Sequence, residues 1–246
     1  MPTKTNIEWT EMTWNPVTGC TKISQGCKHC YAERMAKRLT AMGSGRYRNG
    51  FEVTLHPDLI GVPLKWRQPR VVFVNSMSDL FHEDVPESFI RQVFDTMVAA
   101  KQHTFQILTK RAERLAALAP RLPWPENVWM GVSVEDSRVV DRIGFLQQVP
   151  AAVRFLSLEP LIGPLDDLPL ARIQWAIVGG ESGPRARPMK REWVTSILHQ
   201  CRDAGVAFFF KQWGGTRKDL TGRKLNGRHY EEMPEARRAA SAQPVA

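Results

Sequence analysis

Cysteine is scarce in this chain. Four occur among 246 residues, and three of them fall between positions 20 and 30. That distribution excludes the spread framework of bridges that staples small secreted domains. No apolar run is long enough to cross a bilayer, and the opening MPTKTNIEWTEMTW lacks the apolar core of a signal peptide. A soluble, cytoplasmic protein with no membrane partner is expected. Acidic side chains are also in deficit, 25 against 34 Lys and Arg, which leaves a formal charge of +9. Such an excess suits polyanionic partners without identifying one.

What is present is a substantial apolar content, 43% of residues, arranged as short β-type runs alternating with amphipathic helices. Strands are expected at Val71 to Asn75, Phe105 to Leu108, Val128 to Val132, Phe155 to Leu158, Trp175 to Val178 and Val206 to Phe210. Weaker signals lie near Ile7 to Thr10 and Phe51 to Leu55. After Pro86, the residues Phe89, Ile90, Val93, Phe94 and Met97 share one helical face, and Trp193, Val194, Ile197, Leu198 and Cys201 share another. Strands joined by single helices run parallel, because each crossover returns the chain to the same end of the sheet. The expected fold is α/β, a partial or closed parallel (β/α) barrel of TIM-barrel type over residues 1–215, with a C-terminal extension over 216–246 whose end is disordered.

The C-terminal ends of barrel strands form the functional face. Here each apolar strand ends in polar residues: Asn75, Ser76 and Asp79; Thr109 and Lys110; Ser133 and Glu135; Ser157 and Glu159; Glu181 and Ser182; Lys211 and Gln212. Ser, Asp and Asn also serve as helix caps and turn formers. Carboxylates and lysines are poor caps for a buried strand end, so their repetition favours a shared site.

The segment GCTKISQGCKHCYAERMAKRL places Cys20, Cys27 and Cys30 in C-x6-C-x2-C spacing, with Tyr31, Met35 and Leu39 near one face of the helix that follows. Gly19 and Gly26 permit close backbone approach, and a helix N-terminus offsets the negative charge of a thiolate-bound centre. Three cysteines leave an iron–sulfur cluster with one open iron, whereas structural zinc closes a tetrahedron with four ligands. Zinc competes, because His29, His56, His82 or Cys201 could supply a fourth ligand. His29 sits too close in sequence to its neighbours to bind the same ion easily, and Cys201 lies on an apolar stripe.

Three cysteines in an early loop, followed by an aromatic residue and a helix on a parallel barrel-like scaffold, resemble the radical S-adenosylmethionine superfamily. GCKHCYAE resembles the cluster loop of its spore photoproduct lyase-like members. The first spacing departs from the superfamily's C-x3-C-x2-C through the insertion TKISQG. Over most of its length the chain also resembles a phage-associated three-cysteine-motif family, through IEWTEMTWNPVTGC, VNSMSDLF, LTKR, GVSVED, LEPL, VGGESG, FFFKQWG and LNGRHYEEMP.

The resemblance implies a [4Fe–4S] cluster on Cys20, Cys27 and Cys30, and an S-adenosyl-L-methionine cofactor whose cleavage releases a 5′-deoxyadenosyl radical. By analogy, Ser76 and Asp79 take the cofactor's amino group, and Lys110 or Arg111 meets its carboxylate. Ser133, Glu135, Glu159, Gly179 and Gly180 complete the lining, with Glu181 at adenosine or substrate. The expected activity is that of a lyase- or transferase-like radical enzyme. Its expected partners are nucleic acid, an electron donor and a protein encoded nearby. Arg185, Arg187, Lys190 and Arg191 form a candidate phosphate-contacting patch, and Trp213 could stack a base or close the barrel mouth. The alternative is a non-catalytic, metal-stabilised nucleic-acid-binding or redox-sensing module.

Overall fold

The strands Val71–Val74 and Val128–Ser133 are buried at every position, as expected for central strands covered on both faces. The computed structural model describes residues 3–5 and 7–234. In chain order, its first half contains β1 (Thr3–Lys4), β2 (Met12–Trp14), β3 (Val17–Thr18), α1 (Tyr31–Ala41), β4 (Thr54–Leu55), β5 (Val71–Val74), α2 (Glu87–Ala99), β6 (Thr104–Thr109) and α3 (Ala112–Leu118). There follow β7 (Val128–Ser133), α4 (Arg142–Gln147), β8 (Val153–Leu158), β9 (Trp175–Gly179), α5 (Arg191–Asp203), β10 (Ala207–Gln212) and α6 (Lys218–Thr221).

The main sheet has the order β1-β2-β5-β6-β7-β8-β9-β10. All neighbours from β2 to β10 are parallel, and β1 is antiparallel at the edge. Because β2 and β10 do not pair, this is a partial barrel of seven parallel strands, and the closed form is excluded. Alternation along the strands separates two layers. Outward residues such as Val72, Ile107, Met130, Leu156, Val178 and Phe210 pack with the helices in one core. Inward residues Phe73, Trp129, Phe155, Trp175, Ile177 and Phe209 join Trp9 in a second. Trp175 meets Phe209 and Trp129 edge-on, with centroids at 6.1 Å and 6.2 Å, and Phe155 tilted at 5.6 Å. Gly131 makes this possible, since a Cβ there would fall 2.4 Å from the Phe155 ring.

Three expectations need correction. Ile7 to Thr10 forms a turn, with the strand displaced to Met12–Trp14; Trp9 is buried because its ring plugs the barrel interior, 4.8 Å from Phe73. Of Phe51 to Leu55, only Thr54–Leu55 is strand, and it pairs antiparallel with β3 outside the main sheet. No α-helix joins β8 to β9; the crossover is a loop whose Leu161, Leu165, Leu170 and Ile173 cover the outer face. The chain beyond Thr216 turns back along β10, where the Phe210 amide donates to Tyr230 O at 2.9 Å and Trp175 Nε1 donates to Glu232 O at 2.9 Å. Residues 235–246, expected to be disordered, lie outside the described residues.

Trp175 is fully buried at the centre of the aromatic floor. Trp175→Ala is expected to lower unfolding stability by about 3–5 kcal/mol, the range for deleting a large core side chain. Urea denaturation followed by circular dichroism measures it.

Candidate metal centre at the barrel mouth

The loop between β3 and α1 carries the three cysteines, and a glycine fixes where it begins. Gly19 has φ +84°, and a Cβ there would lie 2.0 Å from the carbonyl oxygen of Glu52. The Gly19 amide donates to Met77 O at 3.0 Å and the Cys20 amide to Phe51 O at 3.1 Å, so two neighbouring segments position Cys20. The loop ends at Cys30, which caps α1. That helix buries Ala32 and Ala36, with Met35 and Leu39 beside them against Met77. Tyr31, expected on the apolar stripe, is 60% exposed; the buried stripe runs one position later.

Charged groups from the strand ends grip this loop along one flank. The Glu135 carboxylate, 1% exposed, accepts from Ser24 Oγ at 3.0 Å, Lys110 Nζ at 2.9 Å and Arg142 Nη1 at 3.0 Å. A Cβ on Gly26 would sit 2.4 Å from that carboxylate. Asp79 accepts from Thr109 Oγ1 at 2.7 Å, the amides of Phe81 and Lys110 at 3.0 Å each, and Arg111 Nη1 at 3.2 Å. Arg111 reaches on to the loop, donating to Cys20 Sγ at 3.5 Å and Thr21 Oγ1 at 2.9 Å. Thr21 Oγ1 also lies 2.8 Å from His82 Nε2.

The opposite flank is held from the end of β9. His29 Nδ1, inside the cysteine motif, is 3.1 Å from Glu181 Oε2. Arg187 donates to the same carboxylate through its amide at 2.9 Å, Nε at 3.0 Å and Nη2 at 2.6 Å. Burial alone would raise the Glu181 pKa, but the bonds from Arg187 and His29 outweigh it and hold the group at about 2. Arg34 of α1 donates to Ser182 O at 2.9 Å and lies where a side chain on Gly183 would fall.

Between these flanks, alternation along the strands turns Ser133, Ser157 and Gly179 inward above the aromatic floor, and Lys211 joins them at a register shift in β10. Lys211 Nζ pairs with Glu159 Oε1 at 3.0 Å. Burial opposes the Lys211 charge, yet Glu159 keeps its pKa raised. Gly179 leaves room for Glu159 and Gly180 for the carbonyl of Trp213, at 2.4 Å and 2.0 Å from where Cβ atoms would sit. Trp213 packs edge-on to Phe210 at 4.9 Å and donates to Lys224 O, closing the mouth on that side. Ser76 Oγ donates to Asn15 Oδ1 at 3.2 Å.

Strand ends thus converge as expected, but Asp79, Glu135 and Glu181 use most of their lone pairs on the chain itself. Arg111, one of two cations expected at a cofactor carboxylate, is tied to the cysteine loop. Sequence reasoning missed Ser24, Thr21, Glu83, Arg34 and Arg142. Only Arg142, a charged residue within an otherwise buried helical face, carried a visible signal.

The thiols of Cys20, Cys27 and Cys30 are free and half-buried. Burial first, then Asp79, pushes the Cys20 thiol up to about 11, and Cys27 adds to that rise. Lys22, paired with Glu33, also feels Cys27 and Cys30. Among the described residues, no three His, Cys, Asp or Glu side chains stand close enough to hold a single metal ion. Of the possible fourth zinc ligands, Cys201 is fully buried in the α5 core, while His29, His56 and His82 bond through one ring nitrogen to Glu181, Thr18 and Thr21. Cys20, Cys27 and Cys30 are the residues that could hold an iron–sulfur centre, three thiols being the donor set of a cluster with one open position.

The parallel half-barrel fold is shared with spore photoproduct lyase. The lyase complexed with dinucleoside spore photoproduct aligns with a TM-score of 0.50 at 12% identity, over 81% of this chain and 63% of that one. A cysteine-to-alanine mutant of the lyase aligns with a TM-score of 0.52 at 11% identity, over 96% of this chain and 66% of that one. At these identities the likeness is one of fold, and this chain spans less than two thirds of the first structure's length. No curated protein matches the chain. The chain belongs to the family described as "Protein of unknown function (DUF5131)", whose model matches residues 4–234.

Two outcomes test the grip on the loop. Gly26→Ala is expected to displace the loop from Glu135 and lower the metal content after anaerobic reconstitution, read by elemental analysis; wild-type metal content would exclude the contact. Glu181 has a folded pKa below its ordinary value of 4.5, so its stabilisation is present above about 4.5 and lost as pH falls toward about 2. It amounts to roughly 3 kcal/mol at full effect. Urea denaturation across that window is expected to show a steeper acid loss in the wild type than in Glu181→Gln.

Proposed function

We propose that this chain is a radical S-adenosylmethionine enzyme that acts on nucleic acid, with a [4Fe–4S] cluster on Cys20, Cys27 and Cys30. The observation that carries the reading is the three free thiols on a loop pinned over the C-terminal mouth of a parallel half-barrel. The fold shared with spore photoproduct lyase and the resemblance of GCKHCYAE to its cluster loop support it.

When bound, the cluster and cofactor supply one-electron cleavage of the sulfonium. The protein's part is to bind, orient and exclude water. The N-terminus of α1 lies next to Cys30 and favours negative charge there. Ser133, Ser157 and the Glu159–Lys211 pair give the inner mouth hydroxyl, anionic and cationic groups for a zwitterionic amino acid moiety. Below them the aromatic floor excludes water.

Nucleic acid is supported by the rim. Lys28, Arg38, Arg48, Arg185 and Arg191 are exposed around the cysteine loop, α1 and the turn after β9, and no described residue pairs with their side chains. Tyr31, exposed next to Cys30, offers a stacking face. Arg187 does not belong to this rim, because it turns inward to Glu181, and Lys190 lies over Trp193 at 5.5 Å.

Anaerobic reconstitution with iron and sulfide is expected to give close to four irons per chain, as a [4Fe–4S] centre contains. The reduced spectrum in electron paramagnetic resonance should change on adding S-adenosylmethionine, with release of 5′-deoxyadenosine. Cys27→Ala is expected to lose the cluster, and retention would sink the ligand assignment. For the rim, anisotropy of a labelled oligonucleotide is expected to show salt-dependent binding. Replacing Arg185 and Arg191 by Glu should reduce the slope of log K against log salt by about 0.7 per contact for single strands. Oligonucleotide binding without cofactor cleavage would select the non-catalytic module instead.

A further inference from the structure

The Arg111 guanidinium has five N–H bonds, and each has an acceptor within the chain. Nε donates to Glu83 Oε2 at 2.8 Å. Nη1 donates to Asp79 Oδ2 at 3.2 Å and to Cys20 Sγ at 3.5 Å. Nη2 donates to Thr21 Oγ1 at 2.9 Å and Thr21 O at 3.4 Å. The side chain is 3% exposed. No donor remains for the carboxylate of a cofactor. The same geometry suits the side chain to another role, since a fixed, buried cation is hydrogen-bonded to the sulfur of the first cysteine and to no other cysteine.

We propose that Arg111 sets the reduction potential of the iron–sulfur centre through Cys20. Hydrogen bonds to ligand sulfur, together with nearby charge and solvent exposure, are the protein's levers on such potentials. Reduction adds one electron from a one-electron donor, breaks no bond and moves no proton, so a cation at the sulfur favours the reduced state directly. Asp79 and Glu83 hold the guanidinium in place, and Asp79 is itself fixed by Thr109 Oγ1 at 2.7 Å. Removing the guanidinium takes away the cation and leaves both carboxylates uncompensated beside Cys20. Lys at this position keeps the charge but cannot reproduce the planar fork.

The inference rests on the cluster reading, and the experiment separates the two. Wild type, Arg111→Gln and Arg111→Lys are reconstituted anaerobically, their iron is counted, and each is titrated potentiometrically by electron paramagnetic resonance without S-adenosylmethionine. The midpoint is expected to move negative in Arg111→Gln and less so in Arg111→Lys. An unchanged midpoint in Arg111→Gln at wild-type iron content overturns the proposal and leaves the cluster reading intact. Should Arg111→Gln hold no iron, Arg111→Lys decides, and a midpoint equal to that of the wild type overturns the proposal. A wild type that binds no iron overturns both.

Discussion

The structure turns on one constraint: a loop with little apolar surface of its own must be held over the open end of a sheet. Loop residues 20–30 are half-buried or exposed throughout, so hydrophobic burial cannot fix them. Charge-assisted hydrogen bonds do it instead. Glu135 and Glu181, each at most 5% exposed, sit on opposite flanks and accept from both the loop and the barrel. Buried carboxylates are costly unless fully partnered, and here the partners are Lys110, Arg142, Arg187 and His29. The requirement that these anions be neutralised is what makes the placement of the loop specific.

The barrel beneath is divided into two levels. Lower inward positions carry mostly Trp and Phe, which fill the interior and meet edge to face or tilted. Upper inward positions carry Ser, Gly and one Lys, which leave space and polarity where the loop arrives. Gly131 belongs to the lower layer because it yields volume to Phe155, whereas Gly26 and Gly179 yield it to carboxylates. Glycine thus serves packing at one level and electrostatics at another.

Much of this is legible from residue order. Apolar runs of four to six residues followed by Ser, Glu or Lys mark the six strong strands within a residue or two, and the face on which chemistry gathers. The candidate metal ligands are visible because three cysteines in eleven positions have no packing explanation. Pairings are not legible. Glu181 lies 152 residues from His29, and Glu135 lies 111 from Ser24, so nothing local reveals that these groups meet. Trp9 misleads because a ring plugging a barrel end produces the same apolar signal as a strand. Tyr31 misleads by one position, since the helix buries the small residues Ala32 and Ala36 rather than the large one.

Those sequence separations also dictate an order of assembly. The cysteines leave the ribosome early, yet the groups that hold their loop belong to the ends of β7 and β9 and are synthesised more than a hundred residues later. Closing such long loops costs conformational entropy before any contact offsets it, so local strand–helix units form first. The thiol loop therefore becomes fixed only after most of the parallel sheet exists. Until then the three cysteines lie on an unanchored segment, and the half-barrel is the template that brings them to their final places.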